Sequence, residues 1–264
     1  MNDRQCGAME ALEDEVMDRP LGALVGTSDS RIIDRPDWHQ VVTPSFTSGG
    51  LNGVGRCRVG VEHLNETIDT AVNDYTGLRW RWTVGPRSTP GLEDALRQRG
   101  LAEHSITGLW RAVDLPPRSS TTVVAAQVTN PGELDAFTAV MAEGWSTPAA
   151  PLAAYNQLLM IASARQRLFL ARVDGVPAGS AGLAIVERSV YLIGAVVLPH
   201  FRGRGVYRAL LDARIELARQ LGKTLVTCQA KPETSAPILL ALGFQSIGSF
   251  PVFTPQASGM SGSR

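Results

Sequence analysis

One stretch constrains the fold more than any other. Residues 190–198 form an apolar run of strand length, Pro199 ends it, and Arg202-Gly203-Arg204-Gly205-Val206-Tyr207-Arg208 follows. Val206, Leu210, Ala213, Leu217 and Leu221 then recur at helical spacing, and Gly222 supplies the stop. A strand therefore feeds a glycine-rich basic loop that opens a helix. The amide N–H groups of a first helical turn have no partner within the helix, and the helix dipole favours negative charge there. Glycines at 203 and 205 let the backbone approach an anion closely, while Arg202, Arg204 and Arg208 add charged donors. This chemistry calls for a phosphate or diphosphate. No Gly-Lys-Ser/Thr follows, and Arg208 stands where a dinucleotide fingerprint needs its third glycine, so neither of those motifs is present. Taken alone, the loop also reads as a solvated basic turn.

The rest of the chain excludes several classes of function. Of its 264 residues 44% are hydrophobic and 19% charged, which is enough apolar material for a packed core and argues against disorder. Lys plus Arg is 25 and Asp plus Glu is 25, so no bulk field draws in nucleic acid or an anionic membrane. Cys6, Cys57 and Cys228 are far apart and form no CxxC. Neither a metal site nor a disulfide framework is expected, and a reducing compartment is. No basic-then-apolar leader and no apolar run of roughly 18 residues is present, so a cytoplasmic protein is expected.

The pattern divides the chain. Residues 1–20 are acidic and carry a short helical pattern (Met9, Leu12, Val16), expected to dock loosely. Little periodicity follows around Pro36 and Pro44. Residues 54–61 then read as strand, 62–75 as helix, 78–84 as strand, 89–99 as helix and 101–113 as strand. The prolines of 116–121 mark a linker. Beyond it come a strand at 122–128, a helix opened by Asn130-Pro131, a helix at 148–164, and strands at 168–173, 177–186 and 190–198. The long helix, a strand at 225–229, a short helix and a last strand at 245–253 complete the order. The expected division is an acidic segment 1–20, a smaller α/β domain 21–115, a linker 116–121 and a main domain 122–264.

Val197-x-Pro199-x-x-Arg202-Gly203-x-Gly205 resembles the coenzyme A-binding motif of the GNAT superfamily of N-acyltransferases. Residues 235–244, ending Leu242-Gly243-Phe244, look like that family's second motif, and the order of elements over 122–253 is similar too. The resemblance implies an α/β (α+β) fold, a mixed and mostly antiparallel sheet flanked by helices. Leu96 to Gly100-Leu101 weakly echoes the second motif. A tandem protein is therefore expected, whose degenerate first half lacks the loop and walls the acceptor site.

What the resemblance implies is a bacterial-type N-acetyltransferase. It would move an acetyl (acyl) group from acetyl-CoA, its co-substrate, directly to a primary amine of a small molecule or peptide. No metal, nucleic-acid or membrane partner is implied, and a homodimer is compatible. By the same resemblance Ala195, Val196 and Val197 pair with the pantetheine arm, and an N–H near Val196 or Val197 meets the oxyanion. The loop amides from Gly203 through Arg204, Gly205 and Val206 to Tyr207, with Arg208, hold the diphosphate, and Arg202 fixes the loop start. Trp145 and Tyr155 are candidate acceptor contacts. Two departures stand out. Tyr207 takes a place usually held by Gly or Ala and is read as packing, and Leu239 takes the place of a tyrosine that protonates the leaving thiolate. No catalytic residue is assigned, since a helix end or a turn explains Glu143 and Glu187 more simply. A non-catalytic acyl-CoA-binding or regulatory module is the alternative.

Overall fold

The computed structural model describes residues 3–23, 27–46, 51–113, 123–162 and 165–256. The first half contains α1 (Asp3–Glu13), a π turn (Asp14–Asp18), α2 (Arg19–Gly22), β1 (Arg31–Asp34), β2 (Trp38–Val42), β3 (Gly53–Cys57), α3 (Leu64–Asp74), β4 (Arg81–Thr83), α4 (Leu92–Gln98) and β5 (Ala102–Ala112). The second contains β6 (Val123–Gln127), α5 (Pro131–Trp145), α6 (Ala149–Ala162), β7 (Gln166–Val173), β8 (Val176–Ile185) and β9 (Ser189–Val197). It continues with α7 (Val206–Gln220), β10 (Leu225–Ala230), α8 (Ser235–Ala241) and β11 (Gln245–Thr254). All described strands join one sheet in the order β1-β2-β3-β4-β11-β5-β10-β9-β8-β7-β6. Neighbours are antiparallel except β3 with β4 and β9 with β10. The mixed, mostly antiparallel sheet flanked by helices is as expected.

This order is a repeat with an exchange. β3-α3-β4-α4-β5 and β9-α7-β10-α8-β11 share one layout: a parallel pair bridged by a helix, a short helix, then a final strand. Yet β11 lies between β4 and β5, and β5 lies between β10 and β11. Each half thus inserts its last strand into the other. β5 and β11 pair from Ala102↔Thr254 to Trp110↔Gln245. The cores follow the strands. Phe253 of β11 is fully buried with Trp82, Leu92 and Leu96 in the first-half core, and Leu109 of β5 is fully buried with Val226 and Phe244 in the second. Burying one such side chain contributes about 1.5–3 kcal/mol. The linker expected at 116–121 lies outside the described residues. β5 precedes it in sequence, but its ladder partners β10 and β11 come from the second half.

Local sequence accounts for most element boundaries. Asn130 caps α5 by accepting from the Glu133 N–H at 3.0 Å, and Glu133 reaches back to the Thr129 N–H at 2.8 Å. β1 and β2, a hairpin around Pro36, were not expected. Every residue of β2 is buried, so the alternation that betrays a half-buried strand is missing.

The N-terminal segment corrects the expectation of a loosely docked helix. Val16 is fully buried, Met17 and Glu15 are 1% exposed, and Asp18 is 7% exposed. A regular helix buries every third or fourth residue, whereas the wider π turn buries four in a row. The turn sits against β5, β10 and β3. Gln229 of β10 donates to the carbonyls of Val16 at 3.1 Å and Met17 at 3.3 Å, and Glu15 accepts from the Arg188 N–H at 2.9 Å. Asp14 and Asp18 pair with Arg58, and Asp14 pairs also with Arg87. Met17→Ala should therefore cost about 2–5 kcal/mol in urea unfolding at constant slope. A loss under about 0.5 kcal/mol, the range of a surface change, would restore the loose-docking view.

Candidate functional site where β9 leaves β10

β9 and β10 pair only at Ser189↔Leu225, Val190↔Val226 and Tyr191↔Thr227. Beyond these, β10 stays with β5 as far as Ala230 while β9 stays with β8 as far as Val197, so the two strands part. A bulge falls on the parting stretch. Ala195 faces Ala181 and Ile193 faces Gly182, leaving Gly194 unpaired at a φ of 22°. Leu198 donates to the Ala178 carbonyl at 3.0 Å. Alternation along an antiparallel ladder then bonds Val196 to Ser180 and turns the amides of Ala195 and Val197 toward the gap.

The basic loop lies at the end of β9. A 3₁₀ turn at Pro199–Phe201 leads into extended Arg202, and Gly203 and Gly205 take left-handed φ values of 75° and 83°. Gly205 is the N-cap of α7, and no side chain caps that helix. Its first-turn amides at Val206, Tyr207 and Arg208 therefore have no intrahelical acceptor. Arg202, Gly203, Arg204, Gly205 and Arg208 are exposed, while Val206 is buried. Arg204 lies 5.6 Å from the Phe201 ring centre and 3.3 Å from Asp174. An exposed pair of this kind contributes only about 0–1 kcal/mol, so the loop keeps its positive charge available.

Three glycines unnoticed in the sequence set this geometry. A Cβ on Gly179 of β8 would stand 2.7 Å from Val206 Cγ1 and 2.9 Å from the Val196 carbonyl, so glycine there lets α7 settle onto the sheet. A Cβ on Gly144 would stand 2.1 Å from Val196 Cγ2, and one on Gly194 would stand 3.0 Å from Trp145. The last turn of α5 is thereby pressed onto β9, with the half-exposed Trp145 ring over the bulge. Tyr155 is elsewhere. It packs against Phe46 of the first half with ring centres 4.9 Å apart, and burial pushes its hydroxyl up to about 12 beside Gln166. Leu239 is 1% exposed in the core, so the residue expected to replace a tyrosine offers no polar group. Glu143 is exposed, and Glu187 pairs with Arg19.

A cavity of about 540 Å³ lies at the other end of β9, roughly 25 Å along the strand from the loop. The π turn (Asp14, Asp18), β2 and β3 (His39, Arg56) and the β8–β9 turn (Val186, Glu187) line it. His39 is 2% exposed and its Nδ1 is 3.2 Å from Asp34. Burial lowers its pKa and Asp34 opposes that. Burial also raises the Asp18 carboxyl from 3.8 to about 6, against the attraction of Arg58 and with the help of Asp14. Among the described residues no group of three or more metal-ligating side chains gathers, and no helix is long and apolar enough to cross a membrane.

Comparison with known proteins adds three findings. Residues 134–244 match the family described as Acetyltransferase (GNAT) family. No curated protein matches the chain. Among solved structures it is similar to a GCN5-related N-acetyltransferase from Kribbella flavida, with a TM-score of 0.68 and 18% identity over 96% of this chain and 97% of that one. It is also similar to a tandem GNAT protein from the clavulanic acid biosynthesis pathway, with a TM-score of 0.59 and 14% identity over 96% and 95%. These likenesses extend the shared fold across both halves.

Two outcomes follow from the site's packing and charge. Gly179→Ala should destabilise the protein by about 1–3 kcal/mol, because backbone as well as side chain blocks the new methyl. An unchanged melting temperature would contradict the close seating of α7. Between about pH 4 and pH 6, folded Asp18 holds a proton that the unfolded chain has released, so the native protein loses stability as pH rises through that window. Asp18→Asn lacks this loss. Its stability relative to the native protein should rise from pH 4.5 to pH 7, and urea midpoints at the two pH values check the sign.

Proposed function

We propose that this chain, whose residues 134–244 match the Acetyltransferase (GNAT) family, transfers an acyl group, acetyl in the simplest case, from acyl-CoA to a primary amine. The observation that carries the reading is the departure of β9 from β10 beside an uncapped, arginine-flanked start of α7. In this reading Gly203, Arg204, Gly205, Val206 and Tyr207 offer amides to the diphosphate, Arg202 and Arg208 flank it, and the gap takes the pantetheine arm. The open amides of Ala195 and Val197 pair with that arm, and one of them meets the carbonyl oxygen as it gains charge. Trp145 over the bulge contacts the acceptor, and the first half walls the approach. Holding the two reactants side by side supplies much of the acceleration. The buried Leu239 favours a second reading, a module that binds acyl-CoA without turning it over.

Release of free thiol from acetyl-CoA in the presence of a panel of amines separates the two, because a pure binder releases none. Arg204→Glu should raise the KM for acetyl-CoA at least tenfold, about 1.4 kcal/mol, and leave kcat at saturation within about twofold. An unchanged KM would remove the loop from the site.

A further inference from the structure

The cavity of about 540 Å³ at the far end of β9 has no part in acyl transfer as proposed above. Its volume lies within the range of about 300–1,000 Å³ typical of small-molecule sites. One wall is a row of side chains laid down by strand register. Asp34 of β1 faces His39 of β2, and His39 faces Arg56 of β3. Residues directly opposite on antiparallel neighbours share a face, with Cβ atoms about 4.5–5.5 Å apart. Asp34 Oδ1 pairs with both of the others, with His39 Nδ1 at 3.2 Å and with Arg56 Nη2 at 2.5 Å. The shared carboxylate thereby orients the imidazole and the guanidinium together.

This arrangement leaves one nitrogen on each, His39 Nε2 and Arg56 Nε, buried and without a partner among the described residues. His39 is 2% exposed, and an unpaired polar atom at such a depth is costly unless something fills its place. The two atoms need opposite partners. His39 Nδ1 faces a carboxylate and so carries the ring hydrogen, while burial lowers the pKa of the ring and keeps it neutral. Its Nε2 is then an acceptor, whereas Arg56 Nε is a donor. The remaining walls include Asp18 of the π turn and Arg165 and Glu187 of the second half. The lining carboxylates are already matched, Asp14 and Asp18 by Arg58, Asp34 by Arg56 and Glu187 by Arg19. A bare cation therefore finds no unmatched carboxylate, and a bare carboxylate meets the Nε2 lone pair. A head group with a donor and an acceptor a few ångströms apart, and no net charge, satisfies both nitrogens.

We propose that this cavity is a second ligand site, separate from the gap between β9 and β10, and that it binds a free α-amino acid with a polar side chain. The ammonium of the amino acid donates to His39 Nε2, and its carboxylate accepts from Arg56 Nε. Asp34 holds both protein groups in place. The polar side chain extends toward Asp18, Arg165 and Glu187. His39 and Arg56 belong to the first half and Arg165 and Glu187 to the second, so the bound molecule spans the two halves and stabilises the folded chain.

Titration of the full chain with each protein amino acid, followed by calorimetry and by melting temperature, tests the site. At least one with a polar side chain should bind with a Kd below about 1 mM and raise the melting temperature. The corresponding amine without the carboxylate, and the acid without the amine, should each bind at least about tenfold more weakly. Arg56→Lys keeps the charge but removes Nε, and should weaken binding at least about tenfold. His39→Leu removes the acceptor and should do the same; Arg56→Lys, at a partly exposed residue, carries the test should His39→Leu fail to fold. If no polar amino acid binds, the cavity holds only water and the proposal is overturned. It is overturned equally if either truncated analogue binds as tightly as the amino acid, or if the variants that fold leave the Kd within about twofold, which would place the amino acid elsewhere. Thiol release from acetyl-CoA is read separately, and its absence would remove the acyl-transfer reading without touching this site.

Discussion

The exchange of β5 and β11 is the constraint on which the rest of the structure depends. Neither half completes its own sheet. β4 finds its next neighbour in β11, and β10 finds its own in β5. Each inserted strand carries an apolar side chain into the other half's core, Phe253 in one direction and Leu109 in the other. A first half appended by a linker would add only surface contacts. Interleaved strands make the two halves a single hydrogen-bonded unit.

The same exchange shapes the candidate site. β10 is held to β5 along its full length, so it does not follow β9 when β9 turns away with β8. One wall of the gap is therefore anchored by the first half and the other by the second. The bulge at Gly194 bends β9 at this point, and Gly144 and Gly179 let α5 and α7 close on it from the two faces. The missing Cβ atoms place helix ends and strand backbone closer together than any other residue would allow. The π turn covers β10 on its way across the sheet, and Gln229 ties the two together.

Charge is distributed in a way that fits these roles. The arginines of the loop are exposed and only weakly paired, which suits a transient anion. Arg214 is buried under the parting strands with carbonyl oxygens as its partners. Asp14 and Asp18 of the N-terminal segment face arginines of the first half, and the cost of burying Asp18 remains visible in its raised proton affinity.

Periodicity and capping in the sequence determined most of what lies within single elements. The helical stripe from Val206 to Leu217, the Asn130 cap and the alternating strands of the second half are local features, each readable within a few residues. The arginine and glycine loop was legible for the same reason, since a strand, two glycines and a helix start are contiguous. The tertiary structure alone decided where β5 and β11 pair and that four consecutive residues of the π turn are buried. Strand exchange depends on which edge is free after the halves meet, and the close approach at Gly144 and Gly179 depends on distances between elements remote in sequence. Burial on both sides hid β2 as well, because a strand without a wet face has no alternation to show.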